Sequence, residues 1–170
     1  MTPDLTLATQ LDLVLRLTVG LVLGAVIGFE REMAHQPAGF RTHSLVALGA
    51  ALFTVVSAFG FAGDLVDPTR IAAQIVSGIG FIGAGTILQY RGHIRGLTTA
   101  ASLWSVAAIG TAAGAGLYVV AISGTVLILV ILAILDRVEA FARRRLRLPP
   151  DGYSIPNHVE PDEGKSEDLP

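Results

Sequence analysis

Five apolar stretches, residues 11–29, 44–61, 70–89, 97–115 and 117–135, leave this chain few folds to choose from. Each is close to the length a helix needs to cross a hydrocarbon core of about 30 Å at about 1.5 Å per residue. In lipid a helix satisfies its own backbone hydrogen bonds, so helices are the natural form for such stretches. Of the 170 residues, 52 % are hydrophobic and 15 % charged. A soluble domain carries about a quarter charged residues. The expected fold is therefore all-α: an integral membrane bundle of five transmembrane helices. Read as one helix, residues 97–135 would run about 58 Å, so GAGL at 114–117 is expected to be a hairpin between the last two spans.

The first span carries Gly20, Gly24 and Gly28 as a GxxxGxxxG ridge, the kind of stripe on which membrane helices pack closely. The third carries Gly78, Gly80, Gly83 and Gly85 within GIGFIGAG. At about 100° per residue, Gly78 and Gly85 share a face with Arg70, Gln74 and Ser77, while Gly80 and Gly83 lie elsewhere. The Gly78/Gly85 face is expected to point inward. Helix packing is the favoured use of these glycines; backbone carbonyls exposed to an ion are the alternative. Asp67 before Pro68 suits an N-cap for the third span. Thr98, Ser102 and Ser105 share one face of the fourth, small-residue span.

Charge placement orients the bundle. With five spans, Arg31, Arg41, Arg91, Arg95, Arg137 and the cluster from Arg143 to Arg147 fall on one side. The other side holds Arg70, with Arg16 expected to snorkel to an interface or, alternatively, to form an internal ion pair. Basic loops stay cytoplasmic, so the N-terminus is expected outside. Residues 1–10 are then an extracytoplasmic N-terminus, 11–136 the membrane domain, and 137–148 a basic juxtamembrane segment. Residues 149–170, with five prolines and six acids, form a tail expected to be disordered. The start MTPDLTLATQLD has no base before Arg16 and does not resemble a secretory signal, so the first apolar stretch is expected to be retained.

No catalytic signature is present, and with no cysteine there is no thiolate chemistry or Cys-based zinc site. The reading is of a protein that is not an enzyme and needs no cofactor. His35, His43, His93 and His158 lack ligand spacing and are expected to be loop residues. No acid falls at the centre of a span, whereas a magnesium site usually takes one or two carboxylates. The richest polar group is Glu30, Arg31, Glu32, Arg41, Arg91 and Arg95, on loops that either pair with one another or stay solvated.

The segments GFEREMAHQPAGFRTHSLVALGAALF, DPTRIAAQIVSGIGFIGAGTIL and IRGLTTAASLWSVAAIG resemble, in order, the MgtC/SapB family of bacterial inner-membrane proteins. The resemblance covers roughly residues 11–135. It places family motifs on Glu30, Arg31 and Glu32; on Arg41 and Thr42; on Asp67, Arg70, Gln74, Gly78 and Gly85; and on Arg95, Gly96, Thr98, Thr99 and Trp104. It implies a multi-pass inner-membrane protein linked to magnesium homeostasis and low-magnesium growth, and in pathogens to survival inside host cells. It further implies either regulation of other membrane machines, such as the F-type ATP synthase, or magnesium transport. The expected partners are the lipid bilayer, another membrane protein (ATP synthase or a transporter) and a second copy of the chain, with no nucleic acid. Some members carry a soluble C-terminal domain, which is not expected here.

Because the chain has no cysteine, single-cysteine labelling of intact cells tests the topology. A cysteine at residue 2 should react with an impermeant maleimide. One at residue 160 should react only after the membrane is opened. Equal reactivity of both from one side removes the five-span arrangement.

Overall fold

The computed structural model describes residues 5–61, 63, 67–90 and 93–146. It contains α1 (Leu7–Met33), α2 (Phe40–Phe59), α3 (Arg70–Gly85), β1 (Leu88–Tyr90), β2 (His93–Arg95), α4 (Leu97–Gly114) and α5 (Tyr118–Leu146). The chain through Ala133 forms one compact unit, and α5 continues from Ile134 into a second. Helices α1, α2 and α4 are each long and apolar enough to cross a membrane; α3 and the apolar part of α5, Tyr118–Ile134, are shorter apolar helices. The tail from residue 147, together with Arg91, lies outside the described residues.

The helix ends differ from expectation at three places. Helix α1 runs on through Glu30, Arg31 and Glu32, and α2 begins at Phe40, so Arg41, Thr42 and His43 are helical and not in a loop. Helix α3 stops at Gly85, where the Thr86 hydroxyl donates to the Gly83 carbonyl at 2.7 Å. The segment expected to be a plain loop is an antiparallel hairpin pairing Leu88 with Arg95, Gln89 with Ile94 and Tyr90 with His93. Its strands are three residues each, too short to leave a visible alternation. Gly96 follows at φ 85°, and a Cβ there would run into the Thr86 carbonyl. Glycine is what lets the hairpin turn into α4.

The core is built on α2, which lies between α1 and α4. A Cβ on Gly28 would come 2.8 Å from Phe40 Cα, and one on Gly24 would come 2.8 Å from the His43 carbonyl and closer still to Ala47 Cβ. On the other side of α2, a Cβ on Gly114 would come 2.6 Å from the Ala51 carbonyl, and one on Gly110 would strike the Ala47 backbone. Ala47 and Ala51 are fully buried between these two glycine rows. Such small-on-small contact is how membrane helices gain packing without a hydrophobic driving force.

Helix α3 docks differently, and the expected inward face is corrected. Only Ile79 and Gly83 are buried on it, with Gly83 facing Ala100 of α4 at 3.7 Å. Arg70, Gln74, Ser77, Gly78, Gly80 and Gly85 are exposed, and at the three glycines a Cβ would meet nothing within 4 Å. Ile79 fills a small core with Ala38, Ala50, Leu103 and Ala107, supported by Ile75. Isoleucine bulk at i, i+4 sets the buried stripe, which Gly83 continues, and Gly78, Gly80 and Gly85 fall off it.

Ser57 of α2 holds the start of α3. Its hydroxyl donates to the Pro68 carbonyl at 2.7 Å and accepts from the Ile71 and Ala72 amides at 3.2 and 3.3 Å. Asp67 is not the N-cap; Thr69 is. Asp67 instead accepts from the Thr69 amide at 2.8 Å and hydroxyl at 2.7 Å. At the same end Arg16 forms the internal ion pair. It bonds Asp12 at 2.8 Å and the Gly114 carbonyl at 3.2 Å, with its guanidinium 5.3 Å from the centre of the Phe59 ring.

These contacts give opposite signs for two alanine substitutions. Gly24→Ala should lower stability by about 1–3 kcal/mol through overpacking. Gly78→Ala should leave it unchanged or raise it by up to about 1 kcal/mol through helix propensity. Thermal unfolding in mild detergent reads both; equal losses would remove the distinction between the two glycine sets.

Candidate functional site

Helices α1 and α2 meet at a tight turn, and α4 begins beside them, so the end of α1 and the starts of α2 and α4 converge. Arg31, only 1 % exposed, forms a two-pronged pair with Glu30: Nε to Oε2 at 2.6 Å and Nη2 to Oε1 at 2.8 Å. Burying a guanidinium is costly unless it is paired and hydrogen-bonded, and the fork–fork geometry meets that condition. Glu32 turns the other way. Its Oε2 accepts the Phe40 amide at 2.8 Å, giving α2 the cap its own Gly39 cannot supply and placing negative charge at a helix N-terminus. A Cβ at Gly39 would strike this carboxylate.

His43 sits beneath, fully buried. Its Nδ1 is 3.0 Å from the Gly39 carbonyl and must donate there, since a carbonyl only accepts. Its Nε2 lies 3.1 Å from the Ser102 hydroxyl of α4, which is also 2.9 Å from the Thr99 carbonyl. With the ring neutral, Ser102 donates to Nε2; with the ring charged, Nε2 donates to Ser102 and Ser102 to Thr99. Either assignment leaves every group of the cluster hydrogen-bonded.

Of the residues marked from sequence, Glu30, Arg31, Glu32 and Thr99 gather here, with Thr99 buried and Glu32 exposed. Thr42 is half-buried; Arg41, Thr98 and Arg95 are exposed around the same end. Asp67 and Arg70 are exposed at the opposite end, where α3 starts. The Thr69 hydroxyl, then the Thr69 amide, holds the Asp67 carboxyl below the usual carboxylate range. Gln74 lines a groove between α2 and α3 and joins neither cluster. His43 and Ser102 were missed as site residues. The signal was present: His43 stands in i, i+4, i+8 register with the small residues Ala47 and Ala51, which places it on the packed face.

Fold and site together define a membrane protein packed on small residues, with a buried polar cluster at one end. The profile of the MgtC family matches residues 17–141, and the chain belongs to that family. It is 45 % identical over 150 residues to YhiD of Escherichia coli (strain K12), named as a proposed magnesium transporter, covering 85 % of this chain and 67 % of that protein. It is 54 % identical over 114 residues to protein MgtC of Brucella abortus (strain 2308), covering 67 % of this chain and 47 % of that one. With protein MgtC of Salmonella typhimurium (strain 14028s / SGSC 2262) it shares 48 % identity over 116 residues, 68 % of this chain and 49 % of that one. The matched region thus spans about half the length of the MgtC relatives. No solved structure matches the chain.

Removing Glu30 orphans one face of a buried guanidinium. Glu30→Ala should lower stability by about 2 kcal/mol, the range of a hydrogen bond to a charged group, and Glu30→Gln by less. Glu32→Ala should cost about 1 kcal/mol, as for a lost cap. Unfolding midpoints in detergent check the order; Glu30→Ala melting with the parent would remove the pairing role.

Proposed function

We propose that the chain is a five-span protein of the bacterial inner membrane, with its N-terminus outside and C-terminus in the cytoplasm, that supports magnesium homeostasis without carrying Mg2+ itself. On this reading it is not an enzyme. It acts as an accessory or regulatory component on other membrane machinery, such as the F-type ATP synthase or a transporter.

The observation that carries this reading is what the carboxylates do. Asp12 pairs with Arg16, Glu30 with Arg31, Glu32 caps α2 and Asp67 closes the turn before α3. These are all the acids whose side chains are described, and each is engaged by a partner within the chain. A Mg2+ path must replace part of a tightly held hydration shell with oxygen ligands. Between α1, α2 and α4 the backbones touch through glycine and alanine, which leaves no width for a hydrated ion. The surface is by contrast open and apolar along α3 and α5, with Phe81 and Val119 at 85 % and 78 % exposure, which suits contact with lipid and with partner helices. The second reading, a magnesium transporter, is favoured by the name carried by YhiD at 45 % identity.

Purified protein in liposomes should not pass Mg2+ down a gradient faster than empty vesicles. In cells it should support growth at low magnesium, and Glu30→Ala should impair that growth. Saturable uptake abolished by one substitution in the chain would make the transporter reading primary.

A further inference from the structure

An open groove of about 540 Å³ runs between α2 and α3, reaching the edge of α4. Its walls include Leu45, Gly49, Phe53, Gln74, Gly78 and Ile82. Two observations separate it from plain lipid-facing surface. At Gly49 and Gly78 a Cβ would meet nothing within 4 Å, whereas the glycines of α1 and those at the end of α4 are pressed against α2. And Gln74, the polar side chain of the groove, is exposed there and bonds no described residue. Once α3 is embedded as the five-span reading requires, that amide faces hydrocarbon, where an unpaired polar group is costly.

We infer that a second copy of this chain fills the groove, with the two Gln74 amides bonded to each other. Copies in one membrane insert with the same orientation, so a two-fold axis between them runs along the membrane normal. Each residue then meets its own equivalent at its own depth. An amide carries both a donor and an acceptor, so Gln74 is its own complement. Gly78 lies one turn further along the same face, and its missing side chain lets the two α3 helices approach closely enough for the amides to meet. An acyl chain would fill the apolar volume but offer the amide nothing. A helix from another protein would need a polar group set at this one depth.

The chain has no cysteine, so single-cysteine variants of the full protein in native membranes report cleanly. Gly78→Cys, oxidised with copper phenanthroline, should give a disulfide-linked species at twice the monomer mass. Leu127→Cys, exposed on α5, should give severalfold less, because a disulfide needs Cα atoms within about 7 Å. In the Gly78→Cys background, Gln74→Leu should cut the crosslinked fraction severalfold, and Gln74→Asn should largely retain it. Reaction of Gly78→Cys with a water-soluble maleimide separates the two ways to fail. If it is labelled, α3 is not embedded and the five-span reading falls together with the dimer. If it is protected and does not crosslink above Leu127→Cys, the spans stand and the dimer alone is wrong. Crosslinking only to a different membrane protein also overturns the second copy as occupant.

Discussion

Everything in this bundle depends on how closely α2 approaches its two neighbours. Ala47 and Ala51 are sealed between Gly20 and Gly24 on one side and Gly110 and Gly114 on the other. In water such a core would be weak, because alanine buries little apolar area. In lipid the comparison changes, since a helix gains nothing by hiding leucine from acyl chains. What remains is dispersion between closely spaced backbones, and that requires small residues on both sides. Val106, Ile109 and Ala113 of α4 and Ala121 of α5 extend the same cluster.

Close approach fixes where polar groups can go. The backbones leave no space for large polar side chains at mid-depth, so the ionic residues collect at the two ends, and at each end they link helices. At one end Glu32 of α1 caps α2 and His43 of α2 bonds Ser102 of α4, beside the Arg31–Glu30 pair of α1. At the other, Arg16 ties α1 to the Gly114 carbonyl of α4, and Ser57 ties α2 to α3. Glu32 at the start of α2 and Arg16 at the end of α4 each sit where the helix dipole favours their sign.

The number of helices, their order and the glycine ridge of α1 were legible in the sequence, because each rests on a long periodic signal. So was the gathering of Glu30, Arg31 and Glu32 at one end, which follows from where the first apolar stretch stops. Three things were not. The hairpin at residues 88–95 is too short to show alternation. His43 read as a loop histidine because the helix start was placed after it, and a shift of four residues moved it from solvent into the core. The face of α3 was reversed because glycine can mark either a packed contact or an open one; only the isoleucines at 75 and 79 distinguished them.

That reversal separates α3 from the rest of the bundle. Gly20 and Gly24 of α1 and Gly110 and Gly114 of α4 are matched by alanines of α2 within the chain, so their cost in helix propensity is offset by contact. On α3, Gly78, Gly80 and Gly85 have no such match, and the polar residues Arg70, Gln74 and Ser77 are turned the same way. Helix α3 is also held by thin means: one serine at its start, the isoleucines at 75 and 79 and one glycine along its length. A helix so lightly fixed, with its small and polar residues outward, is poorly explained by the fold of one chain. Its sequence is consistent with contacts outside the chain, while the α1–α2–α4 core supplies the rigid frame against which such contacts register.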